Sequence, residues 1–107
     1  MASELRMTQA LQLVLQAMLL NPTHEMYGLQ ICDAAGLPSG TIHPILARLE
    51  RVEWLESRWE DVDPSDEGRP RRRYYRLSPE GAEKAKAALR AASERRPRAA
   101  WLPGGAS

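Results

Sequence analysis

"GRPRRRYYRLSPEG" spans residues 68–81, and the reading of this stretch decides the fold. Arg69, Arg71, Arg72, Arg73 and Arg76 place five cations within eight residues, interrupted by Tyr74, Tyr75 and Leu77. A solvated basic tail has no use for aromatic and leucine side chains that gain from burial. Alternation accounts for both: Arg73, Tyr75 and Leu77 fall on one face of an extended strand, and Arg72, Tyr74 and Arg76 on the other. Upstream, Leu55, Ser57 and Trp59 alternate with Glu56, Arg58 and Glu60. The two runs predict an antiparallel pair that brings Arg72 and Arg76 near Glu56 or Glu60. Residues 61–70, "DVDPSDEGRP", join them as a polar, turn-rich loop. The result is a β-hairpin, with Arg69 and Arg71, joined by Arg72 or Arg73, at its tip, where guanidinium forks reach phosphate oxygens or a minor groove. Two other readings compete. A nuclear-localisation run suits disordered surroundings without aromatic anchors, and the arginines can instead be satisfied by Asp61, Asp63, Asp66 and Glu67.

Immediately before the hairpin, "GTIHPILARLERVEW" carries Ile42, Ile45, Leu46, Leu49 and Val52 at helical spacing and leaves Arg48, Glu50 and Arg51 outside. Pro44 requires this helix to begin near Gly40 or Thr41, or to kink in its first turn. A shorter helix over residues 25–35 precedes it, with Met26, Leu29, Ile31 and Cys32 as inward candidates and Gly36 as a left-handed stop. Two helices joined by a tight Gly-containing turn form a helix-turn-helix candidate. Its second helix opens with the small polar residues Ser39, Gly40, Thr41 and His43, sized for a DNA groove, although many helix pairs share this layout without touching DNA. The hairpin then takes the place of a wing.

Residues 5–20 read as a first helix, without Pro, Gly or charge from Met7 through Leu20. Leu11, Val14, Leu15 and Met18 form one apolar stripe, and Leu13, Ala17 and Leu20 a second. Either the helix is central to the core, or one stripe meets the domain and the other a second subunit. After the hairpin, "SPEG" opens a last helix with Ser78 as N-cap, Pro79 at the first helical position and Glu80 near the positive end of the dipole. Ala82, Ala85, Leu89 and Ala92 make a narrow seam along it, expected to pack on the N-terminal helix of a partner subunit, with Pro97 ending the helix.

Composition agrees with one ordinary globular domain: 107 residues, 43% hydrophobic, 27% charged, formal net charge +1. The charge is uneven. Residues 1–56 hold three Lys or Arg against six acids, and residues 57–107 hold twelve against eight, so the second half is the one suited to an anionic partner. The single cysteine, Cys32, has no internal partner and fits a reducing compartment, and no Cys/His spacing resembles a metal site. The most apolar run, residues 10–20, is too short to span a membrane and lacks the marks of a secretory signal, which points to the cytoplasm. The two histidines, His24 and His43, adjoin no nucleophile and acid in a recognisable catalytic arrangement, and no phosphate-binding loop is present, so neither enzyme activity nor a cofactor is expected.

"MYGLQI", "GLPSGTIHPILARLE", "WLESRWE" and "GRPRRRYYRLSPEG" together resemble the winged helix-turn-helix of PadR-type bacterial transcriptional regulators, over about residues 8–92. The resemblance implies a mainly α fold of the α+β class, a winged helix-turn-helix with a two-stranded β-hairpin wing and N- and C-terminal dimerisation helices. It implies a DNA-binding domain over residues 5–77, a dimerisation helix over 78–96 and a flexible tail over 97–107. It further implies a homodimeric repressor that binds a palindromic double-stranded DNA operator, with a small aromatic compound as the candidate effector. Carried over by position, Tyr27, Ser39, Gly40, Thr41, His43, Pro44, Arg48, Arg69, Arg71, Arg72 and Arg73 face DNA, and Leu11, Val14, Leu15, Met18, Ala82, Ala85, Leu89 and Ala92 face the other subunit. His43 stands where the family usually has tyrosine, and Glu53 where a helix-ending glycine is usual. Trp101 lies beyond Pro97, so the ligand-stacking tryptophan of the multidrug-sensing branch is not transferred to it. Two other classes stay open: a winged-helix module that docks an acidic protein, and a small-molecule sensor whose DNA binding is secondary.

Overall fold

The computed structural model describes residues 5–95; the expected tail, with Trp101, lies outside them. Along the chain run α1 (Gln9–Leu19), β1 (Met26–Tyr27), α2 (Gly28–Ala35), α3 (Ser39–Arg51), β2 (Leu55–Trp59), α4 (Pro64–Glu67), β3 (Arg73–Leu77) and α5 (Pro79–Arg95). The fold is mainly helical, with a small antiparallel sheet and the helix-turn-helix followed by a wing. The sheet has three strands in the order β1-β3-β2: β2 and β3 form the expected two-stranded hairpin wing, and β1 adds a third strand to it. β1 covers only two residues, too few for alternation to be read. It forms where Met26 and Tyr27 lie opposite Tyr75 and Tyr74 on the edge of β3 that β2 leaves open. Residues 25–27, expected as the start of the second helix, are therefore extended, and α2 begins at Gly28. Its turn is closed by Gln30, whose Oε1 accepts the Tyr27 N–H at 3.0 Å.

β2 and β3 form the antiparallel pair that the alternation predicted, in a register that sets Leu55 opposite Leu77, Glu56 opposite Arg76 and Arg58 opposite Tyr74. Leu55, Tyr75 and Leu77 enter the core with Ile31 of α2 and Ile42, Ile45, Leu46 and Leu49 of α3. Leu29, expected to point inward, is 68% exposed, because the buried face of α2 is the one that carries Ile31, Cys32 and Ala35.

α1 is shorter than expected, because Thr8 caps it: its Oγ1 accepts the Leu11 N–H at 3.1 Å. The stripe assigned to the dimer interface is the core of the subunit itself. Leu11, Val14, Leu15 and Met18 are buried within one chain, and α1 packs on α2 and on α5 of the same chain. Ala82 and Ala85 are buried in that packing too, while Leu89 and Ala92 are only partly covered. The single-chain core needs the first stripe because three helices and a sheet converge on α1. What α1 leaves outward is Gln9 and Gln16, followed by its C-cap Leu20, 84% exposed.

α3 begins at Ser39, so Pro44 lies inside it rather than in its first turn. The missing N–H deprives the Gly40 carbonyl of its helical partner, and since Gly40 and Pro44 are both exposed, water can take that place. At the other end Glu53 adopts φ +68°, the left-handed conformation usually left to glycine. The turn it makes is tied to α5. Ser78 N–H donates to the Trp54 carbonyl at 2.9 Å, Ser78 Oγ donates to the Glu53 carbonyl at 3.0 Å, and the same oxygen accepts the Gly81 N–H at 2.9 Å. Gly81 sits directly on that turn: a Cβ there would fall 2.6 Å from Trp54 Cα. No helix among the described residues is long and apolar enough to cross a membrane.

Candidate nucleic-acid interface

Amphipathicity decides which face of α3 is free. Ile42, Ile45, Leu46 and Leu49 turn inward, which leaves Ser39, Gly40, His43, Pro44, Ala47, Arg48 and Arg51 exposed, with Thr41 half-buried. Beside the N-terminal end of that face lies a cleft of about 370 Å³. Tyr27, Ser39, His43, Arg69, Arg72 and Arg73, all drawn from the sequence as DNA-facing, line it. α2 contributes Gly28, where an added Cβ would touch the His43 ring at 3.4 Å, so the imidazole rests against the start of α2. Gly40, Thr41, Pro44, Arg48 and Arg71 lie outside the cleft; all but Arg71 belong to α3.

The wing is built less loosely than its composition suggests. α4 is a single turn capped by Asp63, whose carboxylate accepts the Ser65 N–H at 2.9 Å, and stopped by Gly68 at φ +69°. Arg69 sets both terminal nitrogens on the Glu60 carboxylate, at 2.8 and 3.0 Å. Glu60 also accepts the Arg72 backbone N–H at 3.1 Å, and its own N–H donates to the Arg72 carbonyl at 2.8 Å. The Arg69 guanidinium, with help from the Arg72 N–H, pulls the Glu60 carboxyl down to about 2, and Glu60 in turn raises Arg69. Arg73 Nη2 reaches Glu50 of α3 at 3.2 Å and Ser57 Oγ at 2.8 Å, and Ser57 Oγ donates to the same Glu50 carboxylate. The Arg73 guanidinium also lies 5.1 Å from the centre of the Trp59 ring.

On the outer face of the sheet Arg58 donates to both Glu25 oxygens at 2.7 Å, an interaction that lowers the Glu25 carboxyl. Arg58 lies 5.1 Å from the Tyr74 ring, Tyr74 meets Tyr27 edge-on at 5.8 Å, and Arg72 lies 4.1 Å over Tyr27. Arg76 pairs with Glu56 at 3.1 Å, as the alternation predicted. Of the acids named as rivals for the arginines, only Glu67 approaches one among the described residues, at 3.6 Å from Arg69. Glu25, Glu50, Glu56 and Glu60 are the carboxylates that hold the sheet and wing, and sequence reasoning missed Glu50 and Glu25. Glu56 and Glu60 were within reach of the alternation; the other two come from outside the hairpin, where no local period reveals them.

The family model of PadR-like transcriptional regulators matches residues 15–87. The chain belongs to that family. No curated protein matches it in sequence. A PadR family transcriptional regulator from Eggerthella lenta is similar in structure, with 23% identity and a TM-score of 0.60 over 78% of this chain and 73% of that one. The structure of smu.1704 from Streptococcus mutans is 25% identical, with a TM-score of 0.62 over 79% of each chain. Reduced AbfR bound to DNA is 23% identical, with a TM-score of 0.64 over 85% of this chain. The PadR-like chain spans only 60% of that AbfR chain. At such identities the shared property is the winged-helix fold, and the roles of single residues in this PadR-like regulator rest on its own geometry.

Proposed function

We propose that the protein regulates transcription by binding duplex DNA as a homodimer, acting as a repressor on a palindromic operator in the cytoplasm. The observation that carries the reading is the convergence of the exposed N-terminal end of α3 and the arginine-bearing wing on one cleft. AbfR, similar in fold, has been solved bound to DNA, which supports DNA as the partner. In the proposed mechanism the wing and the ends of α3 neutralise phosphates and fix register, while Ser39, Thr41 and His43 read base edges in the major groove, flanked by Tyr27, Gly40, Pro44 and Arg48. With the first stripe of α1 already used by the core, the partner subunit is met by the outward face of α1 and by the distal half of α5, where Leu89 and Ala92 are partly exposed. An effector that changes the separation of the two reading heads away from about one helical turn, ~34 Å, would release the operator.

Fluorescence anisotropy against genomic fragments from upstream of its own gene tests the proposal. With three or four phosphates neutralised per subunit, log affinity falls against log salt with a slope of about −5 to −7. Thr41→Ala or His43→Ala changes base preference and leaves that slope nearly intact. Equal affinity for every duplex, together with a stable complex with an acidic protein, would instead establish the protein-docking alternative.

A further inference from the structure

The four arginines at the head of the wing stand in two different electrostatic situations. Arg69 is engaged on Glu60 through both terminal nitrogens, and Arg73 is engaged on Glu50 and Ser57. Neither Arg71 nor Arg72 has a carboxylate within ion-pair distance among the described residues. Arg71 is exposed and donates only its Nε, to the Val62 carbonyl at 2.8 Å, which fixes the stem and leaves both terminal nitrogens open. The Arg72 guanidinium carbon lies 4.1 Å over the centre of the Tyr27 ring, on the wall of the cleft that also holds Ser39 and His43. A ring beneath one face of a guanidinium leaves its edge donors free, whereas a fork-to-fork carboxylate uses them.

We propose that Arg71 and Arg72 are the wing's phosphate contacts, and that Arg69 and Arg73 are positioning residues that hold the wing in register with α3. This rests on the DNA reading above. An arginine already neutralised by its own carboxylate releases no counterion from DNA unless that pair first breaks, so it does not enter the salt slope. Arg73 matters for a second reason. Glu50 belongs to α3, so the Glu50–Ser57–Arg73 cluster links the reading helix to both strands of the hairpin. The two DNA-facing parts therefore move as one body, and the bidentate Arg69–Glu60 clamp closes the loop that carries Arg71.

Anisotropy titrations with a mixed-sequence duplex across a salt series, on the full chain and its single variants, decide the matter. Arg71→Ala and Arg72→Ala each reduce the slope of a dimer by about 2, one contact per subunit, and Arg71→Lys and Arg72→Lys restore it because a lysine still neutralises a phosphate. Arg69→Ala and Arg73→Ala weaken binding with the slope retained. Arg69→Lys does not rescue, since a lysine keeps the charge and loses the fork. In the free protein, Arg69→Lys and Arg73→Lys also speed tryptic cleavage of the wing severalfold, a readout that needs no DNA. A slope loss in Arg69→Ala or Arg73→Ala equal to that of Arg71→Ala, or rescue by Arg69→Lys, overturns the assignment while leaving DNA binding intact. Wild-type protein with no salt-dependent binding overturns the DNA reading and takes the phosphate contacts with it, while faster cleavage of the lysine variants still upholds the clamps.

Discussion

Two junctions hold this molecule together, and they use opposite chemistry. Where α3 ends and α5 begins, Glu53, Trp54, Ser78 and Gly81 are joined by backbone and hydroxyl hydrogen bonds over a glycine with no room for a methyl group. At the wing, Glu25, Glu50 and Glu60 hold Arg58, Arg73 and Arg69 by ion pairs at the edge of solvent. The first is short-ranged, close-packed and indifferent to salt. The second responds to salt and to acid. The packed junction fixes the start of α5 against the end of α3, while the Arg73–Glu50 pair ties the hairpin to α3 at the edge of solvent.

The contrast can be broken at its stiff end first. Gly81→Ala drives a Cβ into the Trp54 backbone, which cannot yield as a side-chain tip would, and destabilises by about 3 kcal/mol or more in urea unfolding. A loss below about 1 kcal/mol would mean that the junction is loose. Ser78→Ala removes the cap of α5 and the hydroxyl bond to Glu53, and costs about 2 kcal/mol by the same measurement. Glu53→Gly relieves the left-handed strain at φ +68° and stabilises by about 1 kcal/mol, a rise of roughly 4–8 °C in Tm. An unchanged Tm would show that the turn carries no strain to relieve.

The smallest effect on overall stability belongs to the wing, and acid separates it from the core. The folded carboxyl of Glu60 is held at about 2, against an ordinary value of 4.5, so its contribution is present above that ordinary value and is lost as pH falls toward 2. The indole N–H resonance of Trp59, next in sequence to Glu60, is expected to hold steady through pH 4.5 and to move only as pH falls toward about 2, where the folded Glu60 carboxyl takes up its proton. The Trp54 resonance, at the packed junction, should move only when the whole chain unfolds. Simultaneous movement of both would show that the two junctions are one cooperative unit.

Local pattern carried far in this chain because most of its elements declare themselves by period or by punctuation. The antiparallel pairing of β2 with β3 follows from alternation, α5 opens at Ser78 and Pro79 as its start signal requires, and Gly36 stops α2 in the left-handed conformation. The departures arise where a partner distant in sequence decides. β1 exists only because β3 has an open edge, and its two residues carry no period of their own. Pro44 sits inside α3 because that helix starts at Ser39, with the broken bond turned toward water.

Residue types and spacing alone determined that a helix-turn-helix is followed by a basic hairpin, since burial period, turn chemistry and capping act over a few neighbouring residues. Tertiary structure alone decided which stripe of α1 is core and which arginines of the wing are already paired. Both depend on groups brought together from far along the chain: α5 laid against α1, and Glu50 of α3 against Arg73 of β3, 23 residues away. A guanidinium has the same charge wherever it stands in a sequence, and only the folded chain determines whether a carboxylate has claimed it.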